Sequence, residues 1–210
     1  MVVGSKTDMI IFTCMNDLKS ICVYCGSSQG INPLYREDAI RLSQIFVENN
    51  ITLVNGGGNI GLMGIMADTV LVSGGKCTGV IPMGLQEKEI AHNGMTSLIV
   101  VPDMHSRKLT MVNLSDAFIA FPGGFGTLDE LFETLTWAQL HLHQKPIAVY
   151  NPGGYFDHLL LQADHMVREG FLNNSARSLL MSTDKIENLL PLLRNFKTSP
   201  VEKWTTSTEA

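Results

Sequence analysis

The sequence predicts a single α/β domain: a Rossmann-like, doubly wound parallel sheet with helices on both faces. Three observations carry this reading. Short β-type apolar runs alternate with segments whose apolar residues recur at helical spacing. The strand runs are apolar throughout rather than alternating, as strands buried on both faces must be. The glycine-rich turns follow strands, so they fall on the carboxyl edge of the sheet, where such folds bind ligands near the switch in strand order.

In chain order, Ser20–Tyr24 reads as the first strand. It is followed by the small-residue loop Cys25-Gly26-Ser27-Ser28-Gln29-Gly30 and by a helix that Asn32-Pro33 opens and that runs to Asn49, with Pro at its first position. Ile51–Asn55 is the second strand, and Gly56-Gly57-Gly58-Asn59-Ile60-Gly61 opens a helix that Ser73-Gly74-Gly75 stops. Lys76–Pro82 is a third strand. The polar stretch from Met83 to Thr96 has weak periodicity and reads as a lid or connecting loop. Ser97–Val101 is a fourth strand, and Met104–Leu114 a helix carrying Arg107 and Lys108. The run from Ala117 forms the fifth strand, and its helix is expected from Thr127 to about Leu142. Ile147–Tyr150 is a sixth strand, followed by the turn Asn151-Pro152-Gly153-Gly154 and a helix from Tyr155 to Glu169. Two helical pieces, Ser175–Leu180 and Thr183–Phe196, complete a domain spanning residues 20–196. Residues 1–19 read as an N-terminal extension and 197–210 as a polar tail.

A chain of 210 residues with 45% hydrophobic and 17% charged residues can bury a substantial core and lacks a disorder signature. A net charge of -5 argues against a general nucleic-acid or anionic-membrane binder, so any phosphate site has to be local. No stretch reaches the length of a membrane span. Four cysteines, Cys14, Cys22, Cys25 and Cys77, are too few and scattered for a disulfide framework. Cys22-Val23-Tyr24-Cys25 spells C-x-x-C within a strand, where residues three apart point to opposite faces, so a redox or metal role does not fit. Met9–Met15 is apolar but short and has no small-residue cleavage site, which points to a cytoplasmic protein.

The stretch around which the chain is organised is Ala117–Glu133, a strand that breaks into Pro122-Gly123-Gly124-Phe125-Gly126-Thr127 and resumes as a helix. Glycines at 123, 124 and 126 let main-chain N–H groups approach an anion at a helix N-terminus. Thr127-Leu128-Asp129-Glu130 also fits a capping box, with Thr127 as N-cap and Glu130 at N3. Gly26, Ser27 and Ser28 after the first strand, and Gly57 and Gly58 after the second, are candidates for the same phosphate site. Arg107 and Lys108, on a helix just past a strand end, either form a solvated face or reach that phosphate, Arg by a bidentate grip and Lys as a point charge. Gly56-x-Gly58-x-x-Gly61 matches the dinucleotide fingerprint, but Gly79-Val80-Ile81-Pro82 stands where the ribose-binding acid belongs, which weakens an NAD-type oxidoreductase. His141-x-His143 diverges on a helix and has no third ligand nearby, so no metal site is expected.

Taken together, Pro122-Gly123-Gly124-Phe125-Gly126-Thr127-Leu128-Asp129-Glu130 and Met104-His105-Ser106-Arg107-Lys108 resemble the LONELY GUY family. These are cytokinin riboside 5'-monophosphate phosphoribohydrolases, often mislabelled lysine decarboxylases. The resemblance runs from about Ile21 to Leu172 and includes Cys25-Gly26-Ser27-Ser28, Gly56-Gly57-Gly58, Gly61-Leu62-Met63-Gly64 and Trp137-Ala138-Gln139-Leu140. Two positions depart from it: Phe125 replaces the family's Tyr, and Phe121 its Leu. The resemblance implies a cofactor-independent homodimer that cleaves AMP or prenylated AMP to free base and ribose 5-phosphate. It also implies Arg107 and Glu130 as the catalytic pair, with Glu89, Lys108, Gly123, Gly124, Gly126, Thr127 and Thr136 binding substrate. A nucleotide-binding sensor without hydrolysis is the alternative on the same fold. A decarboxylase dependent on pyridoxal phosphate would need a Schiff-base lysine within a cofactor site, and no such constellation is evident.

Overall fold

A computed structural model describes residues 17–85 and 91–197. Seven strands, β1 (Ser20–Tyr24), β2 (Thr52–Asn55), β3 (Cys77–Pro82), β4 (Ser97–Val101), β5 (Ala117–Ala120), β6 (Ile147–Tyr150) and β7 (Leu180–Thr183), form one sheet in the order β4-β3-β2-β1-β5-β6-β7. Every neighbouring pair is parallel. The helices are α1 (Pro33–Glu48), α2 (Gly61–Val72), α3 (Met104–Leu114), α4 (Phe125–Gln139), α5 (Asp157–Arg168), α6 (Asn174–Ser178) and α7 (Leu189–Arg194). The predicted doubly wound class holds, and order reverses between β1 and β5.

Alternation along the strands builds two cores. Ile21, Val23 and Cys25 pack with Leu42, Phe46, Met66 and Leu189 from α1, α2 and α7 on one face. Cys22 and Tyr24 pack with Met111, Leu131 and Ala163 from α3, α4 and α5 on the other. Cys22 and Cys25 therefore point to opposite faces as unpaired, buried thiols, as the strand reading of the C-x-x-C expects. Burial holds the Cys77 thiol up at about 12, an inert state.

Most boundaries fall within two residues of expectation. Asn32 caps α1 by accepting a hydrogen bond from the Leu34 N–H, with Pro33 at the first helical position. The largest correction lies after α5, where the two expected helical pieces give way to a short α6, the edge strand β7 and a short α7. Leu180–Thr183 pairs only with β6, so it lacks the all-apolar signature of a central strand. At the N-terminal side, the buried Leu18 joins the first core, and Asp116 accepts hydrogen bonds from the backbone N–H groups of Lys19 and Ser20. The packed chain thus begins at least two residues ahead of the expected boundary. Residues 1–16 and 198–210, most of the proposed extension and tail, lie outside the described residues. Among the described residues no helix is long and apolar enough to cross a membrane.

Glycines bring the loops of β1, β2 and β5 together. Gly26 donates its N–H to Pro122 O at 3.1 Å, and Gly26 O accepts from the Leu62 N–H at 3.1 Å. At Gly61, φ is +65° and a Cβ would fall 2.2 Å from the Ser27 carbonyl carbon. A Gly61→Ala substitution should therefore lower the unfolding free energy by about 2–4 kcal/mol. Gly74→Ala, at φ +80° but facing open space, should cost only about 1–2 kcal/mol in the same chemical denaturation series.

Candidate functional site

The site is assembled at the carboxyl ends of β1, β2, β3 and β5, where the loops leave the sheet at the switch point. Its most constrained member is Arg107, 5% exposed at the first turn of α3. Asp103 caps that helix by accepting from the Ser106 N–H at 2.7 Å. The guanidinium donates from Nε to Val80 O at 3.1 Å and from Nη2 to Gly56 O at 3.2 Å, and Nη1 lies 3.8 Å from Met104 Sδ. Main-chain carbonyls at the ends of β2 and β3 thus fix its plane. Gly56 is required there, because a Cβ would fall 1.8 Å from Arg107 Nη2. The first glycine of the apparent dinucleotide fingerprint makes room for an arginine, and Gly61, the last, makes room for the backbone of Ser27 and Ser28.

Glu130 is half-buried on α4, one to two turns from its N-terminus. Its charge acts on the same groups as that of Arg107. Burial pushes the Cys22 and Cys25 thiols up, Glu130 adds to the rise at both, and Arg107 opposes it at both. Both charges are thus felt at the β1 thiols, with opposite sign.

The start of α4 corrects the capping box. Gly124, not Thr127, is the N-cap, with no side-chain cap bond, and the helix begins at Phe125. Thr127 therefore sits at N3. Its hydroxyl is 3% exposed and has no hydrogen-bond partner, and a Cβ on Gly123 would fall 2.1 Å from its Oγ1. An unspent buried hydroxyl at a helix N-terminus is a donor waiting for an acceptor. No atom crowds Gly124 or Gly126 on the side a Cβ would occupy, so the approach to the first-turn N–H groups is open. Gly123 is fixed from outside, because the Tyr155 hydroxyl donates to its carbonyl at 2.5 Å. Beyond it lies a cavity of about 230 Å³ lined by Ser28, Gln29, Tyr35, Leu62, Pro122 and Tyr155, among others.

The remaining expectations divide. Gly26 reaches the Pro122–Gly123 loop, while Ser27 and Ser28 lie against Gly61. Gly57, at φ +80°, and Gly58 are clamped instead by the 91–94 segment, since the His92 N–H donates to Gly57 O and Gly58 bridges Ala91. His92 in turn binds Asp68 on α2 through Nε2 at 2.9 Å and accepts the Gly94 N–H at Nδ1. Lys108 lies between Asp129 and Glu133 of α4. Thr136 is exposed and bonds back to Phe132 O, about 16 Å along the helix from Phe125 at 1.5 Å per residue, away from the loops. Glu89 lies outside the described residues. His143 is structural: it packs on Phe118 and contacts Thr134 O at 3.1 Å. Among the described residues no cluster of metal-binding side chains occurs. Sequence reasoning missed Gly56 as the seat of Arg107, the His92–Asp68 pair and Tyr155. Only Gly56 carried a local signal, its place in a glycine run.

The fold is that of a Rossmann-like α/β protein whose α4 N-terminus holds an unpartnered buried hydroxyl. Residues 63–193 match the family described as "Possible lysine decarboxylase". The chain is 45% identical over 179 residues to the cytokinin riboside 5'-monophosphate phosphoribohydrolase LOG7 of Arabidopsis thaliana, covering 85% of this chain and 82% of that one. To LOG1 of the same plant it is 45% identical over 178 residues, covering 85% and 84%. The chain belongs to this LONELY GUY family of phosphoribohydrolases. Among solved structures, TM1055 shares the fold with a TM-score of 0.64 at 18% identity, over 85% of this chain and 99% of that one. A molybdenum cofactor binding protein from Rippkaea orientalis does so with 0.61 at 22%, over 82% and 93%.

Thr127→Val, which removes the unpartnered hydroxyl at nearly constant volume, should raise the unfolding free energy by about 1 kcal/mol. In titration calorimetry it should weaken AMP binding by about tenfold. A stability loss together with unchanged binding would show that the hydroxyl serves the fold.

Proposed function

We propose that this protein hydrolyses the N-glycosidic bond of adenine nucleoside 5'-monophosphates, AMP or its N6-prenylated form, to free base and ribose 5-phosphate. The observation that carries this is the unpartnered, buried Thr127 hydroxyl at the α4 N-terminus, on the same helix as Glu130. The activity named for its relatives in Arabidopsis supports the same reading.

In the proposed reaction the N–H groups of Gly124, Gly126 and Thr127, with the Thr127 hydroxyl, hold the 5'-phosphate. Glu89 meets the ribose or base, and the Gly26-Ser27-Ser28 loop closes the phosphate side. The C1'–N9 bond breaks with its electron pair leaving on the adenine, which takes up a proton, and the sugar becomes oxocarbenium-like. Water attacks C1' and loses its proton as ribose 5-phosphate forms. Glu130 stabilises the positive sugar and orients or deprotonates that water, and Arg107 holds the substrate in register. Binding energy from the remote phosphate thereby serves the reacting carbon.

Two further readings accompany it. Phe125 (93% exposed), Phe132, Leu109 and Leu140 leave an apolar stripe on α3 and α4, with Thr136 among them, which a second copy of this chain would cover as a homodimer. Thr136 would then act at that interface. The buried thiols of Cys22, Cys25 and Cys77 suit a reducing cytoplasm.

Incubation with AMP and with isopentenyl-AMP should release free base, detected by chromatography. Binding without base release over hours would favour a nucleotide sensor instead. Glu130→Gln should lower kcat by about a thousandfold while the AMP dissociation constant stays within about threefold. Phe132→Lys should shift the sedimentation velocity of the protein from dimer to monomer.

A further inference from the structure

The Pro122–Gly123 turn gives two successive carbonyls to two different loops. Pro122 O accepts the Gly26 N–H at 3.1 Å, from the loop after β1. Gly123 O accepts the Tyr155 hydroxyl at 2.5 Å, from the segment between β6 and α5. Tyr155 is itself held in place. Its ring meets Tyr35 of α1 edge-on, with 5.6 Å between centroids, and Phe156 at 4.9 Å. Phe156 is 2% exposed and donates its N–H to Asn151 Oδ1 at 2.6 Å, while Asn151 Nδ2 donates to Asp157 Oδ1 at 2.8 Å. A braced ring, not a free surface side chain, therefore delivers the hydroxyl to Gly123.

The Gly123 carbonyl is one half of a peptide unit whose other half is the Gly124 N–H. That peptide is trans, so the two groups point in opposite directions across a planar amide. Fixing the carbonyl fixes where the N–H points, and a donor on the oxygen polarises the amide and strengthens the N–H. Gly123 also lies against Thr127, since a Cβ on it would fall 2.1 Å from the unpartnered, buried Oγ1. Tyr155 thus bears on both kinds of donor, main-chain and hydroxyl, at the α4 N-terminus. Resting on the hydrolase reading above, we propose that Tyr155 is a positioning residue for the 5'-phosphate: by donating to Gly123 O it sets the Gly123–Gly124 peptide and the seat of the Thr127 hydroxyl without touching the nucleotide. A residue that acts this way changes how tightly the phosphate is held in ground and transition state alike, so it acts on KM and not on kcat.

Tyr155→Phe keeps the ring against Tyr35 and Phe156 and removes only the hydroxyl. In that variant the KM for AMP should rise about tenfold while kcat stays within about threefold of wild type. By calorimetry the dissociation constant of ribose 5-phosphate should rise by the same factor, and that of adenosine, which lacks the phosphate, should stay within about twofold. Thr127→Val tests the coupling. Because both side chains serve one cradle, ribose 5-phosphate binding in the double variant should weaken by clearly less than the product of the two single effects. Thermal melting checks that each variant folds. Unchanged ribose 5-phosphate binding in Tyr155→Phe, a fall in kcat at constant KM, adenosine binding weakened as much as that of ribose 5-phosphate, or independent effects of the two substitutions would each overturn the proposal. A wild-type protein that binds no ribose 5-phosphate would overturn it too. If the wild-type protein binds ribose 5-phosphate but releases no base from AMP, the hydrolase reading falls, and the calorimetry still decides the role of Tyr155.

Discussion

A charged guanidinium withdrawn from water must find fixed acceptors, and the carboxyl edge of this sheet is shaped around that demand at Arg107. Gly56 O and Val80 O supply them, so the ends of β2 and β3 must stay in register with the first turn of α3. The loop that carries Gly56 is held in turn by the His92 N–H on Gly57 O and by the bridge from Gly58 to Ala91. The Asp68–His92 contact ties that clamp to α2. A stretch with weak periodicity in sequence thus becomes a brace, because one buried histidine is satisfied at three atoms.

Glycine serves this edge through close contact more than through flexibility. Gly26, Gly56, Gly61 and Gly123 each place backbone or a side-chain tip where a Cβ would stand. At Gly61 and Gly123 a neighbour belongs to another loop, so the absent side chains are what let the β1, β2 and β5 loops converge. Gly124 and Gly126 differ: among the described residues nothing lies within 4 Å of where their Cβ would stand. Their openness is what a ligand needs rather than what the fold needs, and the same contrast explains why the Thr127 hydroxyl beside them is left unpaired.

The fold was legible because a parallel sheet buries both faces, and Ser20–Tyr24, Thr52–Asn55 and Ala117–Ala120 read as apolar runs set between turn signals. β7 was not, because Leu180–Thr183 is a four-residue edge strand whose identity comes from pairing with β6. The α4 start was misplaced for a local reason: Thr127 and Glu130 obey the spacing of a capping box, but the helix begins at Phe125 with Gly124 as a cap that makes no side-chain bond. Arg107, Glu130 and the glycine loops could be named from sequence as one candidate set. What Lys108 touches was not, since the choice between a phosphate and a pair of carboxylates depends on how α3 lies against α4, which no local spacing encodes.

The acids beside an anion site are then less paradoxical than the sequence suggests. The macrodipole places partial positive charge at the first turn of α4, where a phosphate would sit, and Glu130 follows within two turns. In a bound nucleotide that carboxylate repels the phosphate slightly. In the reaction proposed above, the sugar acquires positive charge as the glycosidic bond lengthens, and the same carboxylate becomes attractive. An interaction that is unfavourable in the ground state and favourable in the transition state is the differential kind that raises kcat. It works only if the other acids of α4 are silent. Lys108, paired with both Asp129 and Glu133, partly offsets them, while backbone carbonyls hold Arg107 in place.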